Sequence, residues 1–332
     1  MNKIHFWLKN ARYVALPQSI LPAVLAVFMA SDYADFSFLY ALLAVVGVLF
    51  THLSMNLFDD YFDYKNQNIQ IRNELAEHKI LARIGKCDYL IEQKATAKQL
   101  LFVASAFLFM ALIIGTVIFL HRGNVILYLA FIGGFLGLAY SAKPFCLSYR
   151  GLGEIVVGVM FGPLLMAGVF YASCGACHLG LVLVSASAGL LVTNILFTHS
   201  IMDYQPDKHT GKKTLAILIH SVKGMFIISC FFNLLPFALI GYGILTHYLS
   251  LWYLLVFLPF PLAGYLIYLI AELLHQPQKR FKPQYWMGPM ENWNAITRAG
   301  TDWFMIRWYL ARNLTVFFCV FAIIASLLSP KL

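Results

Sequence analysis

Asn56-Leu-Phe-Asp59-Asp60-Tyr-Phe-Asp63 gathers three carboxylates and an amide at the end of a long apolar run. From Leu39 to Phe58 there is no Asp, Glu, Lys or Arg, and His52 is the one imidazole. On a helix that continues through the cluster, Asn56, Asp60 and Asp63 stand at i, i+4 and i+7 and share one face. Carboxylates this close repel one another, and their pKa values rise, unless a cation or a paired base sits among them. Acids capping a helix belong at its N-terminus, whereas this cluster ends one, where the macrodipole disfavours them. A divalent metal is therefore the favoured occupant, with Asn56, Asp59, Asp60 and Asp63 as candidate ligands.

A second acidic pair, Asp203-Tyr-Gln-Pro-Asp207, is followed by Lys208-His-Thr-Gly-Lys212-Lys213. The i, i+4 spacing suits one helical face, but Pro206 disfavours helix at Gln205 and moves the second carboxylate to a following turn. Thr51-His52 and Thr198-His199 each precede an acidic cluster, a weak echo of two related halves. Carboxylates suit Mg²⁺, which completes its octahedron with water and phosphate oxygens. Lys143, Arg150, Lys208 and Lys212 supply charge for a phosphate, and Tyr140 and Tyr149 stand near two of them. Together these residues predict a diphosphate and not a free metal ion.

Composition sets where such a site must lie. The chain of 332 residues is 61% hydrophobic and 12% charged, with a mean hydropathy of +0.74. Those values exclude an ordinary soluble domain and specify a polytopic, all-α membrane protein. Apolar runs predict nine transmembrane helices, near residues 14–32, 37–58, 99–121, 124–141, 153–173, 179–202, 221–246, 250–273 and 310–329. With the N-terminus inside, only Arg122 and Lys331 of the 24 Lys and Arg fall outside. That asymmetry predicts an odd number of spans, with the N-terminus and both acidic motifs facing the cytoplasm across the cytoplasmic membrane. The net charge of +9 then lies on the inner face, toward lipid headgroups and anionic substrates; nothing points to nucleic acid.

The whole chain, 1–332, reads as one transmembrane domain. Inner segments 64–98, 203–220 and 274–309 are long enough to cap a site, and Arg72, Lys79, Arg83 and Lys86 make the first of them basic. Residues 274–309, rich in Trp and Arg, read as an amphipathic piece lying on the membrane. Phe6-Trp7-Leu8 with Lys3, Lys9 and Arg12 reads as an interfacial anchor for the first span. Cys174-Gly-Ala-Cys177 is a lone CxxC in a short outer turn and reads as incidental. A charged site at the entrance of an apolar bundle implies a ligand with a charged head and a long hydrophobic tail. Aromatic residues, 16% of the chain, include some placed to stabilise a carbocation.

Asn56-xxx-Asp60-xx-Asp63, Asp203-xxx-Asp207 and Gly211-Lys-Lys-Thr-Leu-Ala resemble the UbiA superfamily of intramembrane prenyltransferases. Tyr140-Ser-Ala-Lys-Pro-Phe, Tyr149-Arg-Gly-Leu-Gly-Glu154 and Phe161-Gly-Pro163 resemble its branch acting on 1,4-dihydroxy-2-naphthoate in menaquinone synthesis. The resemblance spans roughly residues 15–220. It implies a UbiA-type bundle of nine helices around a central cavity, with Mg²⁺ joining Asn56, Asp60, Asp63, Asp203 and Asp207 to a polyprenyl diphosphate. It also implies ionisation of the allylic C–O bond and attack by an aromatic acceptor, oriented by Tyr140 or Tyr149, with loss of the ring carboxylate in this branch. Two departures flank the motifs: Tyr64-Lys-Asn-Gln-Asn replaces a glycine and a further acid, and His199-Ser200-Ile-Met202 replaces an Asn pair and an Arg. They leave a hydroxybenzoate-like acceptor as the alternative. A cation transporter, the competing class, predicts acids deep within spans; here they cluster at span ends.

Overall fold

The computed structural model describes residues 2–65, 87–209, 211–276 and 279–330. The basic segment carrying Arg72, Lys79, Arg83 and Lys86 lies outside the described residues. A short amphipathic helix, α1 (Lys3–Asn10), precedes α2 (Pro17–Ala30) and the long α3 (Phe38–Lys65). The chain continues through α4 (Asp88–Ile91), α5 (Ala97–Arg122) and α6 (Asn124–Ser141). Helix α7 (Gly153–Cys174) carries a π turn at Met160–Leu164, where Pro163 cannot donate to the ladder. Next come α8 (Leu179–Met202), α9 (Tyr204–His209), α10 (Leu215–Ile219) and α11 (Val222–Leu245). A 3₁₀ stretch, Leu251–Phe257, leads into α12 (Phe260–His275), followed by α13 (Trp293–Arg298) and α14 (Asp302–Leu328).

Among the described residues, eight helices are long and apolar enough to cross a membrane, and α2 is a shorter apolar helix packed with them. Eight of the nine predicted spans are membrane-length helices and the first is the shorter α2; three boundaries move, the second span running on to Lys65. The first span starts later, because Tyr13–Ala15 form a 3₁₀ turn and Pro17 opens α2. The last starts earlier, at Asp302 rather than 310, because Arg307 is accommodated inside the bundle. Its side chain is fully buried and donates to the carbonyls of Leu269 and Trp303.

Local sequence explains the helix ends. Thr96 and Gln99 form a reciprocal capping box at the start of α5, and Gly175, at φ +69°, terminates α7 in the left-handed conformation. Helix α8 is the most buried of the spans and forms the centre of the bundle. It approaches α7 through glycine: a methyl group at Gly162 would sit 2.4 Å from Gly189 Cα, and one at Gly158 would sit 1.9 Å from Thr193 Oγ1. Small residues permit this close backbone packing, which drives helix association in lipid. Reciprocal side-chain bonds of 3.0 and 3.2 Å between Asn194 and Asn233 tie α8 to α11.

Two apolar cores result. The larger runs through the bundle; the smaller gathers Ala11, Leu57, Phe58, Tyr89 and Leu90 around the acidic end of α3. At the opposite end, the Arg122 side chain bonds the carbonyls of Asp35, Ala172 and Ser173 and so joins α5, α7 and the turn before α3. Cys174 and Cys177 are free thiols there.

Candidate active site

A cavity of ≈ 1790 Å³ opens among α2, α3, α5, α6, α7, α8 and α14. Its wall is mainly apolar, from Ile118 and Phe119 at the Arg122 end to Met55 and Met160 nearer the acids. At its charged end it is lined by Asn56, Asp59 and Asp60 from α3, Tyr140 from α6, and Lys212 after α9. Helix α3 continues unbroken through its acidic cluster to Lys65, so Asn56, Asp60 and Asp63 do share a face, and both Asp60 and Asp63 are buried.

Arg12, read from sequence as a membrane anchor, is the first residue of the site that sequence reasoning missed. It sits at φ +59° in the turn between α1 and α2, and its guanidinium pairs with Asp60 and, at 3.4 Å, with Asp59. Burial works against its charge, yet the Asp60 and Asp59 carboxylates outweigh that and hold its pKa above the ordinary value. Tyr89 was also missed; its hydroxyl donates to Asp60 at 3.1 Å, and Phe6 and Trp7 pack edge-on against its ring. Burial, then the neighbouring Asp60 charge, push the Tyr89 phenol above its ordinary pKa. The part of segment 64–98 that follows residue 86 therefore folds onto the first acidic motif. Ser141 completes this shell, donating to Asp59 at 2.5 Å, while Asn56 donates to the carbonyl of Ala11.

The second motif is built differently from its sequence expectation. The helix breaks at Asp203, where α8 ends, and Pro206 falls in the first turn of α9, where its missing N–H costs no ladder bond. Asp203 and Asp207 are both buried, and His199, one turn before Asp203, places Nδ1 3.3 Å from its carboxylate. Glu154, also buried, accepts from Ser200 Oγ at 2.5 Å and from the Leu215 amide at 3.1 Å. It thereby fastens both ends of the segment that carries Asp203, Asp207 and Lys212. Sequence named Glu154 only within a motif, because its partners lie 46 and 61 residues away.

Tyr149 lies between Asp63 and Lys212, the lysine that follows the second motif, while Asp63, Asp203 and Asp207 are buried outside the lining of the cavity. The Tyr149 hydroxyl donates to Asp63 at 2.8 Å, and the Lys212 ammonium lies 5.9 Å from its ring centroid. A parallel bridge between Arg150 and Lys213 holds the two connecting segments side by side. The other candidate cations stand outside the cavity wall: Lys143 and Lys208 are exposed, and the exposed Arg150 donates to the Pro144 carbonyl. Residues 279–301, expected as an amphipathic piece on the membrane, are largely irregular and strapped to α14. Asn313 donates to the carbonyls of Met287 and Pro289, and Arg312 pairs with Glu291. Pro289 and Glu291 thus become part of the cavity wall.

The donor set suits a hard cation. It offers carboxylate oxygens and an amide, and among the described residues no three His, Cys, Asp or Glu converge into a closed metal cage. Mg²⁺ binds through one or two carboxylates and completes its shell with water and phosphate. Asp59 and Asp60 are held by Arg12, Tyr89 and Ser141, so a metal there would share these carboxylates with the guanidinium or displace it.

Membrane-length helices around a deep, mainly apolar cavity, with acids and a lysine at one end, define an integral membrane protein. The model of the UbiA prenyltransferase family matches residues 19–294. The chain belongs to that family and is a prenyltransferase. It is 24% identical over 246 residues to the 1,4-dihydroxy-2-naphthoate octaprenyltransferase of Bacillus subtilis (strain 168), covering 74% of this chain and 76% of that one. It is 24% identical over 266 residues to the 2-carboxy-1,4-naphthoquinone phytyltransferase of Synechocystis sp., covering 80% of each. Among solved structures, a UbiA homolog from Archaeoglobus fulgidus bound to GPP and Mg²⁺ aligns with a TM-score of 0.58 at 15% identity, covering 93% of this chain and 99% of that one. A digeranylgeranylglyceryl phosphate synthase aligns with a TM-score of 0.64 at 17% identity, over 97% of this chain and 99% of that one.

Proposed function

We propose that the protein transfers a polyprenyl group from an allylic diphosphate to 1,4-dihydroxy-2-naphthoate, with loss of the ring carboxylate and with Mg²⁺ as cofactor. The observation that carries this reading is the charged end of one apolar cavity, lined by Asn56, Asp59, Asp60 and Lys212, with Lys212 on the segment that follows the buried Asp203 and Asp207. The naphthoate relatives support the acceptor, and the solved relative holding GPP and Mg²⁺ supports the donor and the metal.

Asn56, Asp59, Asp60, Asp63, Asp203 and Asp207 would hold the metal. When bound, Mg²⁺ neutralises diphosphate charge and makes it a better leaving group. Lys212, half-buried beside the acids, meets the remaining phosphate charge. Lys143, Arg150 and Lys208, exposed nearby, attract the anionic head toward the site. The apolar wall seats the tail and excludes water, so the allylic cation is captured by the ring instead of by hydroxide. Tyr140, on the cavity wall, orients the acceptor. The Lys and Arg asymmetry sets the acidic end toward the cytoplasm.

The test is a mass-spectrometric product assay on purified protein with prenyl diphosphates and a panel of aromatic acids. The expected product from dihydroxynaphthoate gains the prenyl mass and loses carbon dioxide. A product retaining the carboxylate from a hydroxybenzoate instead would reassign the acceptor. Metal-dependent ion flux without transfer would overturn the reading.

A further inference from the structure

One polar pair lies in the cavity wall apart from the acids: His52 on α3 and Ser19 on α2. His52 is one helical turn deeper than Asn56 and two deeper than Asp60, ~6 Å and ~12 Å along the axis. Ser19 has one hydroxyl proton, and its Oγ donates that proton to the Leu16 carbonyl at 3.0 Å. With that proton on the Leu16 carbonyl, the 2.8 Å contact between Ser19 Oγ and His52 Nδ1 is donated by the imidazole, the assigned tautomer. In that tautomer Nδ1 carries the proton and Nε2 keeps its lone pair. Phe161 packs edge-on against the ring, centroids 5.0 Å apart, and fixes its plane. Among the described residues no protein group bonds Nε2, and His52 lines the cavity. A neutral lone pair in an apolar wall attracts an O–H or N–H donor and repels phosphate and carboxylate oxygens. A prenyl tail has no such donor; a hydroxylated ring does.

We propose that His52 Nε2 accepts a hydrogen bond from a ring hydroxyl of the aromatic acceptor, with Ser19 as the residue that positions the imidazole. This rests on the acceptor reading above and adds the residue that recognises it. The hydrogen bond polarises the O–H bond and raises electron density on the ring as the allylic cation forms. The prenyl C1–O bond breaks with its electron pair leaving on diphosphate, and a bond forms from C1 to the ring carbon bearing the carboxylate. That carbon then releases carbon dioxide, and the pair from the broken C–C bond restores the aromatic ring. The hydroxyl proton stays on its oxygen, so His52 ends as it began.

The experiment compares wild type with His52→Phe and His52→Gln, using dihydroxynaphthoate and its two monomethyl ethers. His52→Phe is expected to lower kcat/KM for the acceptor by about 10- to 100-fold while leaving KM for the prenyl diphosphate unchanged. His52→Gln, whose amide oxygen accepts, is expected to recover most of that loss. Wild type with one of the two methyl ethers should fall as far, and His52→Phe should show no further loss with that ether. Wild-type kcat/KM in His52→Phe, equal losses in Gln and Phe, or full wild-type activity with both ethers would overturn the proposal. If His52→Phe does not fold, the ether comparison on wild type decides alone. Diphosphate release by wild type with transfer to no hydroxylated aromatic would sink the acceptor reading itself, and the proposal with it.

Discussion

Arg12 and Asp60, 48 residues apart, form an ion pair that closes the charged end of the cavity. The pair puts a guanidinium where the first acidic motif requires positive charge, and it draws the N-terminal turn over α3.

Removing that charge tests what the carboxylates do. Arg12→Gln leaves Asp59 and Asp60 without their guanidinium and should lower thermal stability in detergent. Added Mg²⁺ should then raise the melting temperature of the variant more than that of wild type, because ligand binding to the folded state stabilises it by mass action. A variant indifferent to Mg²⁺ would argue that these carboxylates are not metal ligands.

Tyr89 gives a pH signature. Its phenol is held above its ordinary value of 10.0 by burial and by Asp60, so the folded protein keeps a proton that the unfolded chain loses. Its contribution is fully present below pH 10 and is lost as pH climbs above it. Thermal melts from pH 8 to 11 should show this decline in wild type and a shallower one in Tyr89→Phe, which should also lose about 1 kcal/mol at neutral pH.

Glu154 should matter through the second motif. Glu154→Ala leaves the Leu215 amide without its partner at a cost of about 1–3 kcal/mol, and it frees the segment bearing Asp203 and Lys212. Transfer rate should fall more steeply than stability, with Glu154→Gln intermediate because its amide oxygen still accepts. Equal loss in both variants would point to the charge and not to the fastening.

The contact between α7 and α8 predicts intolerance at glycine. Gly162→Leu must displace the α8 backbone at Gly189 and should cost at least about 1–3 kcal/mol, read as a lowered melting temperature or loss of folded yield. Gly134→Ala, whose added carbon meets nothing within 4 Å, serves as the tolerated control.

The sequence carried the spans and the acidic motifs because both are local. Bilayer thickness fixes run length, and a helix continuing through Asn56 to Asp63 fixes their shared face. What it hid was set by distance along the chain. Arg12 sits among interfacial residues, and only the tertiary fold turns it onto Asp60; Tyr89 reaches the same carboxylate from within segment 64–98, 29 residues away. Arg307 hid the start of α14, since its partners are carbonyls, which leave no mark in composition. Pro206 was read as a helix breaker because its place in a first turn depends on the break at Asp203. Lys143, Arg150 and Lys208 have the right charge, but their exposure is decided by the path of two connecting segments.

The most direct test of a single site built from both motifs is product formation by purified Asp60→Ala and Asp203→Ala. The account predicts that each loses transfer by at least about 100-fold while remaining monodisperse in detergent. Full activity in either variant would contradict it and remove that motif from the mechanism.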